Sequence, residues 1–169
     1  MKLRKSTEQD IPEIMNIIKE AQNYFKENHI NQWQNNYPNI QTVLTDIKNG
    51  YGYVLLEDDI IIATVSISFD GEKNYEKIMD GNWLSFEDYV VLHRLAVKND
   101  CKGKGISSIL LNMIEKICIE KDIHSIKIDT HEQNISMQRL LDKNGFQYCG
   151  VIFVADQSPR VAYEKILTL

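Results

Sequence analysis

The sequence predicts an α/β domain built on a mixed sheet, and three observations carry that expectation. Apolar residues recur at helical spacing in some segments and at a period of two in others. A strand pattern, a glycine-bearing loop and a long amphipathic pattern follow one another across residues 89–117. The 169 residues are 43% hydrophobic and 25% charged, without repeats or low-complexity linkers, which fits a single domain over residues 1–169. The element order read from the chain is β-α-α-β-β-β-α-β-α-β-β, with helices flanking the sheet.

Lys2-Leu3-Arg4-Lys5 reads as a short first strand. Thr7 is placed as an N-cap with Asp10 three residues later, and Ile11, Ile14, Met15 and Ile18 then recur on one helical face. Residues 24–39, rich in Asn and Gln and carrying Trp33, Tyr37 and Pro38, read as an irregular connection. Ile40, Val43, Leu44 and Ile47 form a second helical face, ended by Asn49-Gly50. Tyr51–Leu56 and Ile60–Ser68 read as strands around the turn Glu57-Asp58-Asp59.

Residues 70–87 form a polar excursion with Tyr75 and Trp83. Tyr89–Lys98 is a strand, with Tyr89, Val91, His93, Leu95 and Val97 sharing one face by period two. Ile106, Ile109, Leu110, Met113, Ile114 and Ile117 make a helix face. His124–Thr130 is a strand, Ser136–Asn144 a short helix stopped by Gly145, and Phe146–Phe153 and Arg160–Leu167 are the last two strands.

Charge and cysteine content exclude several classes. Nineteen basic against twenty-four acidic residues give a net charge of −5, so no nucleic-acid partner is expected, because such a partner demands a basic face. An acidic average is compatible with cationic small substrates. The longest apolar run, Ile60 to Val65, is too short to span a bilayer as a helix, and no membrane partner is expected. Met1–Lys5 lead into polar residues rather than an apolar core, which argues against a secretion signal and for a cytoplasmic protein. Cys101, Cys118 and Cys149 are odd in number and far apart, so they suggest reduced thiols and no metal site.

The most informative segment runs from Val91 to Leu111. After the strand, Lys102-Gly103-Lys104-Gly105 leads into the helix that starts near Ile106. The first helical turn has backbone N–H groups without intrahelical partners, and the helix dipole adds positive potential there. Glycine lets an anion approach that backbone closely, so the loop is built to cradle a phosphate. A nucleotide P-loop needs GxxxxGK[ST], which is absent, and a dinucleotide fingerprint needs a third glycine where Ser108 stands.

Lys102-Gly103-Lys104-Gly105-Ile106-Ser107 resembles the acyl-CoA pyrophosphate loop of the GNAT (Gcn5-related) N-acetyltransferase family. Leu95-Ala96-Val97 is similar to that family's cofactor strand, and Asn134…Leu141…Gly145-Phe146 to its second cofactor segment. The likeness covers nearly the whole chain, with Lys102 where Gln or Arg is usual and Ser107 in the last small-residue position. It implies a splayed sheet with acetyl-CoA between the Tyr89 and His124 strands. Backbone groups of Leu95 and Val97, on either side of Ala96, would meet the pantetheine. Lys102 to Ser107 would hold the pyrophosphate, and Ser108 would add a hydroxyl. Asn134 would contact the pantetheine arm, though it reads equally as an N-cap for the next helix.

Acetyl transfer to an amine needs a base for the ammonium and stabilisation of the departing thiolate. The resemblance gives the base role to His93; by its residue type alone, it reads as a histidine filling the sheet surface. Many relatives carry a tyrosine acid where this chain has Leu141, which has no proton to give. Asp129 and His131 are alternatives near the strand end. Trp33, Tyr37, Trp83 and Tyr89 are candidates for an aromatic acceptor wall that holds an amine by cation–π contact, and His131 joins them on the substrate side. The expected activity is acetyl-CoA-dependent N-acetylation of a small amino-acid-like or polyamine-like primary amine. A protein or peptide acceptor, or a non-catalytic acyl-CoA sensor, are the competing readings. A homodimer is compatible with the resemblance.

Overall fold

The computed structural model describes residues 1–168. Its strands are β1 (Lys2–Lys5), β2 (Gly52–Glu57), β3 (Ile60–Ser68), β4 (Val90–Val97), β5 (Ser125–Thr130), β6 (Gln147–Phe153) and β7 (Pro159–Ile166). They form a seven-stranded sheet in the order β1-β2-β3-β4-β5-β7-β6. The helices are α1 (Ile11–Glu27), α2 (Ile40–Lys48), α3 (Ile106–Glu120) and α4 (Ile135–Lys143). The mixed α/β architecture expected from the sequence is therefore present. Two compact units share it: Met1–Ile67 with His93–Leu110, and Ser68–Leu92 with Leu111–Leu169.

In the first unit, β1, β2 and β3 are antiparallel neighbours. Ile14, Ile17 and Ile18 of α1 and Val43 of α2 pack with Val54, Ile61 and Ala96 in one core cluster. Asp10 starts α1: its carboxylate accepts from the Thr7 backbone at 2.7 Å and from both outer nitrogens of Arg4 at 2.7 and 2.9 Å. The Arg4 guanidinium, above all, holds the Asp10 carboxyl down at about 2 against the opposing effect of burial. α1 runs to Glu27, past the boundary read from the sequence, because Phe25 extends the buried stripe seven residues beyond Ile18. The irregular connection is thus residues 28–39, not 24–39.

In the second unit, Val90–Leu92 pair in parallel with Ile126–Ile128, while β5–β7 and β7–β6 are antiparallel. Ser125, Lys127 and Asp129 share a face of β5 by period two. The polar excursion lies on the same side of the strand, since Ser85 and Ser125 both donate to Glu164, at 3.0 and 2.6 Å. Glu164 is fully buried and also accepts from the Leu84 backbone at 2.5 Å. A carboxylate with this many donors offsets its desolvation and pins a segment that has little regular structure of its own.

Candidate active site

The glycine loop has the geometry its composition predicts. Gly103 and Gly105 have φ of 76 and 75°, the left-handed region that glycine enters without cost. A Cβ on either would meet nothing within 4 Å, so the backbone lies open where an anion would approach. α3 begins directly after, with the Ile109 N–H donating to the Gly105 carbonyl at 3.1 Å. Lys102, Gly103, Lys104 and Gly105 are exposed, Ser107 and Ser108 are half-buried, and Ile106 is buried as the anchor. Lys102 Nζ sits 5.3 Å from the Tyr24 ring centroid. Open glycine backbone, two lysines and a helix start suit a pyrophosphate.

On β4, Leu95, Ala96 and Val97 are buried and His93 is half-buried. The face expected to run from His93 to Val97 is not continuous, because Arg94 has φ 53° and interrupts the extended repeat. Alternation by two holds only while every residue stays extended, so His93 and Leu95 need not share a face. Arg94 is itself anchored: Nε and Nη2 donate to the two oxygens of Asp46 at 2.8 and 2.6 Å, and Nη1 donates to the Tyr37 hydroxyl at 3.0 Å. Trp33 packs edge-on to Phe25 at 5.5 Å against the α1 core, while Tyr37 is 44% exposed. Beside the Arg94–Asp46 contact lies a small cavity lined by Ser6, Ser66, Asp46 and Arg94, with room for about one water.

In the second unit, the cation above the aromatic residues is the chain's own. Lys127 Nζ lies 3.9 Å from the Tyr89 ring centroid and 4.5 Å from that of Trp83. Burial depresses its pKa, with Glu164 opposing. The Trp83 indole N–H donates to the Tyr75 carbonyl at 2.9 Å, and the Tyr89 hydroxyl accepts from the Glu72 backbone at 3.3 Å. Tyr75 donates to Asp129 at 2.6 Å, and burial, reinforced by Asp129, pushes its phenol well above the usual range. Lys127 and Glu164 escaped the sequence reading: a charged residue in a strand signals solvent unless its cross-strand partner is known, and these two face each other in register.

Asn134 is buried and caps α4, accepting from the Met137 N–H at 3.2 Å and donating to the Thr130 hydroxyl at 3.1 Å. Leu141 corrects its assignment. It is wholly buried in the core under α4 and has no surface for a cofactor, as expected where an apolar side chain replaces an amphipathic tyrosine. His131 lies just past β5, where the Gln133 N–H donates to Nδ1 at 3.1 Å. Burial and then Arg160 lower its pKa, which favours the neutral ring.

No curated protein matches the sequence. Among solved structures, a GNAT-family acetyltransferase from Streptococcus agalactiae is 31% identical, with 99% of this chain and 96% of that one covered at a TM-score of 0.90. A candidate acetyltransferase from Staphylococcus aureus is 26% identical over 99% and 100% of the two chains, with a TM-score of 0.74. The PaiA N-acetyltransferase of Thermoplasma acidophilum, solved in complex with coenzyme A, shares the fold at 20% identity and a TM-score of 0.71, over 98% of each chain. The acetyltransferase (GNAT) family signature matches residues 14–146. With that signature lying on a fold matched almost end to end, the chain belongs to the GNAT acetyltransferase family.

Proposed function

We propose that the protein transfers the acetyl group of acetyl-CoA to the primary amine of a small, amino-acid-like or polyamine-like molecule. The family uses acetyl-CoA. The observation that carries the reading is the open, left-handed Gly103/Gly105 backbone at the start of α3, flanked by Lys102 and Lys104. When bound, acetyl-CoA supplies an activated acyl thioester. Lys102, Lys104 and the loop N–H groups from Gly103 to Ser107 bind its pyrophosphate, and the Ser108 hydroxyl adds to that set. Backbone groups of Leu95, Ala96 and Val97 orient the pantetheine, a role the resemblance also gives to Asn134. His93 takes the proton of the acceptor ammonium on a ring nitrogen, and Tyr37 and Trp33 border the acceptor. The rings of Trp83 and Tyr89 already hold Lys127, which removes them from the acceptor wall, and His131 keeps its assignment to the substrate. With three buried thiols and this donor, the proposal includes a cytoplasmic setting.

The buried Leu141 favours a second reading, an acyl-CoA sensor without turnover, since that position lacks the family's usual acid. Calorimetry with CoA, followed by a broad amine panel with acetyl-CoA read by free-thiol release, separates the two. Submicromolar to micromolar binding with turnover of at least one small amine is expected; binding with no turnover on small amines or peptides favours the sensor. The control is Gly105→Val. A branched side chain at φ 75° is strained and also fills the approach to the backbone, so CoA affinity should fall by about tenfold or more in a chain that still folds. Unchanged affinity in that folded variant removes the loop from the site.

A further inference from the structure

Arg94 stands between the candidate base and the cofactor strand, in a backbone conformation that L-residues avoid. The forked contact with Asp46 uses Nε and Nη2 together, a geometry only a planar guanidinium can make. Both side chains are mostly withdrawn from solvent, at 16% and 13% exposure, so the pair is not a loose surface contact. The remaining outer nitrogen reaches the Tyr37 hydroxyl.

Tyr37 is tied at its other end as well. Its carbonyl, and that of Pro38, accept from the Gln22 side chain of α1 at 3.0 Å each. Gln34 in turn donates to the Gln22 carbonyl at 3.2 Å. The connection it belongs to includes left-handed backbone at His29, Trp33, Asn35 and Asn36, so its shape rests on such cross-ties rather than on a repeating ladder. Arg94 therefore links three things at one guanidinium: the β4 backbone beside His93, helix α2 through Asp46, and the 28–39 connection through Tyr37.

We propose that Arg94 is a positioning residue, which fixes the backbone between His93 and Leu95 and the Tyr37 segment as one unit and so sets acceptor affinity. The reaction it serves rests on the acetyl-transfer reading above; the clamp itself does not. The pyrophosphate part of cofactor binding rests on the loop after β4, outside the clamp. Tyr37→Phe removes only the outer bond. Arg94→Lys keeps the charge but loses the fork. Arg94→Gly frees the left-handed backbone and removes the clamp altogether.

The test uses the full chain and two readouts. By hydrogen–deuterium exchange, Tyr37→Phe and Arg94→Lys should each raise exchange across residues 31–39 by about tenfold, the effect of losing one charge-assisted hydrogen bond, with α1 unchanged. For an amine accepted in the panel, Arg94→Lys should raise KM about tenfold with kcat and CoA affinity within about twofold. Arg94→Gly should raise KM at least as much as Arg94→Lys, because it removes the clamp altogether; a smaller rise overturns the positioning role. Unchanged exchange at 31–39 in folded Tyr37→Phe and Arg94→Lys overturns the clamp. Raised exchange with unchanged KM overturns the positioning role. Absence of turnover with every amine defeats the acetyl-transfer reading and the positioning role with it, while the exchange result still decides the clamp.

Discussion

His93 and Leu95 are two residues apart, and regular strand geometry puts such a pair on one face. Arg94 breaks the premise of regular geometry for a local reason: a left-handed residue is legible from sequence only when it is glycine or asparagine, and an arginine gives no warning. The glycines of the phosphate loop were legible for the opposite reason, since Gly103 and Gly105 occupy the left-handed φ that their presence announces. His93 remains the group whose loss is most informative. Replacing it with alanine should lower turnover by about 10²–10⁴ with CoA affinity nearly unchanged. Near-normal kcat in the folded variant would leave His93 a packing residue.

At the scale of elements, boundaries were read well where an apolar stripe met a polar cap. α2, which runs from Ile40 to the stop at Asn49-Gly50, is an example. α1 was cut short because Tyr24 to Glu27 look polar, although Phe25 continues the stripe. The excursion before β4 was legible only as a polar gap, because its order comes from Glu164 and Lys127, some eighty and forty residues downstream of it. The start of α1 carries its own pH signature. With Asp10 held near 2 in the fold and near 3.8 when free, its contribution is complete above the free value and disappears as pH falls from about 4 to about 2. The size is about 2 kcal/mol at neutral pH, shared with Arg4. Urea unfolding of Asp10→Asn should show that loss at pH 7 and a flatter stability curve below pH 4; a parallel acid decline would assign the acid sensitivity elsewhere.

For the whole molecule, burial makes two of the three thiols very poor nucleophiles: it pushes Cys118 up to about 12 and Cys149 up to about 11, and it raises Cys101 as well. A thiolate-selective reagent at neutral pH should label the native chain very slowly and all three cysteines rapidly in denaturant. Fast native labelling of Cys118 would mean that its surroundings open readily. The outer strand β6 raises a different matter, the risk of strand-by-strand growth between molecules. Its free edge is met by Met79, whose N–H and carbonyl both pair with Val151 at 2.8 Å. That approach needs two bare backbones: a Cβ on Gly81 would fall 2.0 Å from the Cys149 carbonyl, and one on Gly150 would fall 2.4 Å from that of Met79. The excursion thus works as a guard strip over an edge that would otherwise template a neighbour. Gly150→Val should pry the strip away and turn a clear solution into one that scatters light at concentrations where the parent chain stays dispersed.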